Sequence, residues 1–129
     1  MTGDSAKVGG AAAMVLHVCV TCGRHPDSLA EPDGRCLLAA LERAPAAPAV
    51  ELRAIECLGV CRRGCAVAMS APGKWTYVFA DLSVADAGEV LAGAGLYAAS
   101  DNGMVPWRER PQPLRRGLVA RIPPVTLPT

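Results

Sequence analysis

Cysteines are the residues of this sequence with the most chemistry to offer, and their spacing groups them. A Cys-x2-Cys pair and a Cys-x3-Cys-x3-Cys triplet contain five of the six, and one cysteine lies between them: Cys19 and Cys22, then Cys36, then Cys57, Cys61 and Cys65. Disulfides, zinc sites, redox dithiols and iron–sulfur clusters all use such thiols. Because no secretory leader is recognisable, we expect a cytoplasmic protein, where metal ligands or reactive thiols are more usual than disulfides.

Length and charge restrict the classes of function. The chain of 129 residues is long enough for one domain, and 51% hydrophobic residues suffice for a core. A formal net charge of only +1 argues against a general nucleic-acid binder. No apolar run is long enough to span a bilayer. We therefore expect neither nucleic acid nor membrane as a partner.

The apolar pattern predicts a small α/β domain that would position the thiols. Strands are predicted over 14–20, 50–55, 66–70 and 75–79, and helices begin at Asp33 and Ser83. A Pro-Gly turn joins the last two strands, and the second helix starts on a variant capping box. The order of strand, helix, strand, hairpin and helix is that of a thioredoxin-like fold. Its first two strands would be parallel.

This predicted fold brings the cysteines to one edge of the sheet. Parallel strands end at the same edge, and neighbours lie about 4.8 Å apart. Cys19 at the end of the first strand and Cys57 just after the second would therefore be close together. An antiparallel third strand would begin at the same edge and add Cys65, and the first helix would bring Cys36 nearby.

Converging thiols narrow the chemistry without selecting one kind of site. Zinc takes four thiolates, usually as two close pairs, and the Cys-x2-Cys pair with Cys57 and Cys61 would serve. A [2Fe–2S] cluster could take the same four, with Gly59 and Gly64 letting backbone N–H groups approach its sulfides. A redox dithiol in the first pair is a third reading, although the predicted helix begins too late in the sequence to lower a thiol pKa.

Several stretches resemble a family of small predicted metal-binding proteins of unknown function, often encoded near cobalamin-biosynthesis genes. The resemblance is carried by Val18–Arg24, Glu56–Cys65, Ser70–Phe79, Leu96–Ser100 and Trp107–Pro111. That family is similar to thioredoxin-like [2Fe–2S] ferredoxins, which carry one ligand after the first strand, a second before or at the first helix, and a Cys-x3-Cys pair after the second strand. The resemblance thus implies one [2Fe–2S] cluster, with zinc as the alternative.

Position by position, the resemblance also implies a ligand set. Cys19, Cys57 and Cys61 match three of the ferredoxin ligand positions. We assign the remaining ligand to Cys22, which matches the motif of the metal-binding family. Cys36 lies at the corresponding ferredoxin position, at the start of the helix, and we expect it to be a bystander.

The surroundings of this ligand set carry further expectations. Cys65 replaces a proline that is usual in those ferredoxins, and we expect a fifth thiol able to act as a substitute ligand. Gly59, Arg62 and Gly64 are predicted to lie against the cluster. Arg62 and Arg63 could raise its potential and attract an acidic redox partner protein.

Four thiolates leave no open coordination position, so the prediction is electron transfer or redox and metal sensing rather than enzyme catalysis. The resemblance implies a link to cobalamin or tetrapyrrole metabolism. The alternatives are a zinc- or cobalt-binding protein for metal handling and a thiol–disulfide oxidoreductase.

Domain boundaries complete the sequence-based expectations. We expect a disordered segment over 1–13, a thioredoxin-like metal-cluster domain over 14–103, and an extended C-terminal arm over 104–129. Five arginines lie between Trp107 and Arg121, among several prolines. Such an arm could lie across the domain or a second subunit of a homodimer, or it could bind a carboxylate-rich small molecule.

Overall fold

The computed structural model describes residues 13–21, 32–44, 49–59 and 64–125. They form five strands and three helices, and two short 3-10 turns precede α2 and α3. The elements in chain order are β1 (Met14–Cys19), α1 (Asp33–Arg43), β2 (Val50–Ile55), β3 (Val67–Ser70), β4 (Thr76–Phe79), α2 (Ala87–Ala99), α3 (Gln112–Arg116) and β5 (Leu118–Ile122).

All five strands belong to one mixed sheet in the order β2-β1-β3-β4-β5. β1 and β2 are parallel, with Cys19 opposite Ile55, and β3 is antiparallel to β1, with Val67 opposite Val18. β1 and β2 therefore end where β3 begins. We call this border of the sheet, which carries Cys19, Cys57 and Cys65, the cysteine edge. The mixed α/β fold and this strand arrangement confirm the predicted architecture.

The main hydrophobic core lies between the helices and one face of the sheet. Alternate residues of β1 (Met14, Leu16 and Val18) are buried there with residues of α1 and α2, among them Leu37 and Val90. The alternation follows from the two-residue period of a strand, which sends successive side chains to opposite faces. Cys19, which follows Val18, therefore lies on the other face of the sheet.

The predicted turn and helix start are both confirmed. Lys74 N–H donates to the carbonyl of Ala71 at 3.2 Å, and Gly73 between them has a φ of +74°, which glycine adopts without steric cost. Ser83 and Asp86 form the capping box before α2, where the Ser83 N–H donates to Asp86 Oδ2 at 2.9 Å. These contacts fix the hairpin and the entry into α2.

The extended C-terminal arm is not confirmed, because residues 112–122 form α3 and β5. Pro113 lies in the first turn of α3, where the missing N–H of proline costs no helical hydrogen bond. Leu114 is buried in the core against Gly93 of α2. β5 then pairs with β4 as the last strand of the sheet. The prolines that favoured an extended reading start a helix, and a buried leucine anchors it.

Other expectations fall outside the described residues. Residues 1–12 of the predicted disordered segment do so, and so do Cys22, Cys61, Arg62 and Arg63. Within the described part, no helix is long and apolar enough to cross a membrane.

Candidate metal centre

Cys19 ends β1 with its side chain on the face of the sheet opposite the main core. It is fully buried in a small cluster with Ala66 and Ala80, against which Leu58 packs. The Cys19 N–H donates to the carbonyl of Ala66 at 3.0 Å, which fixes the backbone between β1 and the segment before β3. The Cys19 thiol donates to the carbonyl of Glu56 at 3.4 Å. Cys19 is thus held toward the loop that follows β2.

That loop places Cys57 directly beside the Cys19 contact. The Thr21 hydroxyl also donates to the carbonyl of Glu56, so two side chains from the end of β1 converge on one carbonyl. Cys57 is exposed, and its Sγ accepts the Gly59 N–H at 3.2 Å. Gly59 has a φ of +83°, a conformation that side chains rarely adopt. The loop therefore directs a backbone donor at the Cys57 sulfur. The predicted approach of backbone N–H groups to cluster sulfides stays a prediction.

Cys65 lies at the same edge but faces the main core. Reciprocal backbone hydrogen bonds with Leu82, of 3.0 and 3.1 Å, hold it there. Burial raises the pKa of the Cys65 thiol to about 11, and the charges of Asp33, Cys19 and Cys36 act in the same direction. The structure directs Cys19 toward the residue before Cys57, whereas Cys65 faces the main core.

The start of α1 also lies at the cysteine edge, as the order of strand and helix along the chain predicts. A Cβ at Gly34 would lie 1.9 Å from the carbonyl oxygen of Cys19, so only glycine allows this approach. Cys36, half-buried, follows within the first turn and a half of the helix. Asp33 in the same turn adds negative charge near the thiols.

The donor set of this edge suits soft metals, because thiolates bind zinc and iron–sulfur clusters alike. Among the described residues, no three cysteine, histidine or carboxylate side chains form a group that could hold a metal ion. Of the four predicted primary ligands, Cys19 and Cys57 lie among the described residues, at the same edge of the sheet. The assignments of all five metal ligands, and of Gly59, Arg62 and Gly64 beside them, stay predictions.

A family model decides what this chain is related to. The model, described as a protein of unknown function (DUF1636), matches residues 16–124. The chain belongs to the DUF1636 family. No curated protein matches the sequence of this DUF1636 protein.

Two solved structures are similar to this DUF1636 protein in fold. One is the structure of a thioredoxin-like [2Fe–2S] ferredoxin from Aquifex aeolicus, with 16% identity, a TM-score of 0.56, and coverage of 91% of this chain and 100% of that chain. The other, a 1.5 Å crystal structure of the wild-type thioredoxin-like [2Fe–2S] ferredoxin from the same organism, has 16% identity, a TM-score of 0.55, and coverage of 85% and 99%. At such identity the likeness establishes the fold.

Sequence reasoning missed three contributors to the geometry of the edge. Thr21 and the carbonyl of Glu56 tie β1 to the loop, and Gly34 admits α1. Thr21 and Glu56 are next to predicted ligands in the sequence, which is a signal that could have identified them. The role of Gly34 has no such signal, because it depends on where α1 packs.

Proposed function

We propose that this DUF1636 protein binds one [2Fe–2S] cluster at the cysteine edge and acts in electron transfer or in redox or metal sensing. The observation that carries the proposal is the hydrogen bond from Cys19 Sγ to the carbonyl of Glu56, the residue before Cys57. Two thiol-bearing segments from separate strands meet there. The fold shared with thioredoxin-like [2Fe–2S] ferredoxins supports the same interpretation.

In the proposed site, Cys19 and Cys57 would hold the cluster together with Cys22 and Cys61, and Cys65 would be the substitute ligand. A bound cluster supplies reversible one-electron chemistry. The Gly59 N–H donates to Cys57 Sγ, so a backbone donor already lies beside this proposed ligand. Cys19 donates its thiol proton to a carbonyl, so it must release that proton when it becomes a ligand.

The proposal extends to an acidic redox partner protein, which the positive charges of Arg62 and Arg63 would attract. From the resemblance it takes a link to cobalamin or tetrapyrrole metabolism. It includes a cytoplasmic location and the possibility of a homodimer.

Purification without oxygen, followed by reconstitution with iron and sulfide, tests the proposal. We expect a red-brown protein with two iron and two acid-labile sulfide ions per chain, and an electron paramagnetic resonance signal after reduction. The Cys19→Ser/Cys57→Ser double variant, treated identically, should remain nearly colourless. A colourless wild-type protein that retains one zinc ion would overturn the proposal in favour of a zinc site. A colourless, metal-free protein that reduces disulfides would instead favour a thiol–disulfide oxidoreductase.

A further inference from the structure

A second candidate site lies on α3, and no cysteine lines it among the described residues. Among the described residues, Trp107, Gln112, Arg115 and Arg116 line a cleft of about 260 Å³. This volume is close to the lower end of the range for small-molecule sites, which combine an apolar wall with a few polar groups. The indole is 59% exposed, so it provides such a wall at the mouth of the cleft.

The polar groups of the cleft are cationic or neutral. The Arg115 guanidinium carbon lies 5.0 Å from the centre of the Trp107 ring, in cation–π contact. Arg115 Nε is buried and has no hydrogen-bond partner among the described residues. Gln112 and Arg116, both exposed, add an amide and a second guanidinium. A buried donor without an acceptor is costly. An oxyanion in the cleft would bind the other N–H groups of the guanidiniums, which present paired donors.

Neighbouring arginines strengthen the positive potential. Arg110 is 9% exposed, and its guanidinium lies over the Tyr77 ring. Burial lowers the pKa of Arg110; Tyr77 raises it, and the positive charges of Arg121 and Arg115 lower it. These arginines therefore act on one another as close cations. A local cluster of this kind attracts anions even though the whole chain carries a formal net charge of only +1.

The backbone fixes the cleft near the cysteine edge. α3 ends directly before β5, whose first residue, Leu118, pairs with Phe79 at the end of β4. The Ala80 N–H donates to the carbonyl of Gly117 at 2.7 Å, and a Cβ at Gly117 would lie 2.4 Å from the Ala80 oxygen. Glycine at this junction therefore allows the close approach of α3 to the end of β4. The cleft therefore lies where α3 is held against the end of β4.

We propose that this cleft binds a small organic anion, with a carboxylate or phosphate group held by Arg115 and Arg116 and an apolar part against Trp107. Guanidinium groups bind both oxyanions through paired N–H donors, and the indole favours a flat apolar group. The proposal is independent of the cluster, because none of the lining residues is a predicted metal ligand.

Fluorescence of Trp107 in a Trp75→Phe background provides the test. The protein is titrated at constant ionic strength with three probes: inorganic phosphate, citrate and benzene-1,3,5-tricarboxylate. We expect a saturable change with at least one of them. The aromatic tricarboxylate should bind more tightly than citrate, which carries a similar charge without a ring. A comparison of the affinity for phosphate with the affinities for the two carboxylates shows whether the cleft prefers a phosphate or a carboxylate group.

Matched charge variants make the test specific. Arg115→Gln should weaken binding by at least about tenfold, the effect of losing one charge-assisted hydrogen-bonded pair. Arg116→Gln, at an exposed position, tests the same site with little risk to folding. Arg43→Gln, at the end of α1, removes an equal charge elsewhere and should leave binding unchanged.

Three results would overturn the proposal. The first is an equal response to chloride at the same ionic strength, and the second is equal weakening in the Arg43 and Arg116 variants. The third is binding of polyglutamate without binding of any small probe, which would indicate a docking surface for an acidic protein.

Discussion

Cys19 Sγ donates a hydrogen bond of 3.4 Å to the carbonyl oxygen of Glu56, so the end of β1 is tied to the residue before Cys57. Parallel pairing brings the backbones of β1 and β2 to one edge, but it does not determine where their side chains point. This contact directs the Cys19 side chain toward the loop after β2. Because a thiol that donates is protonated and a metal ligand is a thiolate, metal binding at this position should release protons.

The first prediction separates ligands from bystanders among the thiols. Cys19→Ser and Cys57→Ser should each lose most of the visible absorbance after reconstitution, because serine is a harder and poorer donor for iron. Cys36 is a half-buried cysteine on α1, and Cys36→Ser is the matched control. This variant should retain the wild-type iron and sulfide content. Iron, sulfide and absorbance per chain are measured for every variant.

The opposite pattern would correct the ligand set. If Cys36→Ser destroys the cluster while Cys22→Ser spares it, the second ligand is the one at the helix start, as in the ferredoxins. If Cys65→Ser alone abolishes the cluster, the thiol that faces the main core is a primary ligand rather than a substitute.

The second prediction concerns the contact between α1 and β1. Gly34→Ala places a Cβ 1.9 Å from the backbone oxygen of Cys19, so the helix or the strand end must move. We expect a loss of about 1–3 kcal/mol in the free energy of unfolding, the usual cost of overpacking. Chemical denaturation monitored by circular dichroism measures it.

Gly95→Ala is the matched control for this prediction. Gly95 also lies within a helix, but a Cβ there meets nothing within 4 Å. This substitution should stabilise the protein by about 0.5–1 kcal/mol, because alanine has the higher helix propensity. Equal effects of the two substitutions would show that α1 does not press on the end of β1.

Much of the fold was predictable because local signals agreed with one another. The β-branched run of β1, the capping box at Ser83 and Asp86 and the Pro72-Gly73 turn each determine their own segment. Chain order then determines the rest, since a strand–helix–strand unit brings two strands parallel. The shared edge of Cys19 and Cys57 follows from those elements alone.

The direction of side chains at the edge was not predictable, because it depends on register. Cys65 and Ala66 are adjacent, so they face opposite sides of the sheet, and Ala66 packs with Cys19. A shift of one residue between β1 and β3 would exchange them. β5 was not predicted either. Residues 118–122 form a strand because they pair with β4, and this pairing cannot be inferred from an arginine-rich sequence.

The third prediction is loss of stability in mild acid through His17. Burial and the positive charge of Arg53 lower the pKa of His17, while Glu51 opposes them, and His17 Nε2 lies 3.1 Å from Ser70 Oγ. The folded protein therefore binds this proton less readily than the unfolded chain. Stability is complete above about pH 6.5, the pKa of an unperturbed histidine, and falls as the pH drops below it.

Denaturation midpoints at about pH 7.5, 6.5 and 5.5 measure this effect. His17→Gln retains a hydrogen-bonding side chain opposite Ser70 without a titrating ring, so its stability should fall less between the same pH values. Identical pH dependence in wild type and variant would exclude His17 as the cause.

The fourth prediction concerns the alkaline side of the stability profile and the buried thiol Cys65. Its pKa rises from 9.0 to about 11 on folding, so above pH 9 the unfolded chain releases this proton more readily than the folded protein. The stability of the metal-free protein should therefore fall as the pH rises from about 9 toward 11. Tyr97 adds to the fall only above about pH 10, because burial raises the pKa of that phenol from 10.0 to about 12. Cys65→Ala should flatten this slope, and Cys57→Ala, at an exposed position, should leave it unchanged. A slope in Cys65→Ala as steep as in wild type, or steeper, would contradict the assigned burial of the thiol.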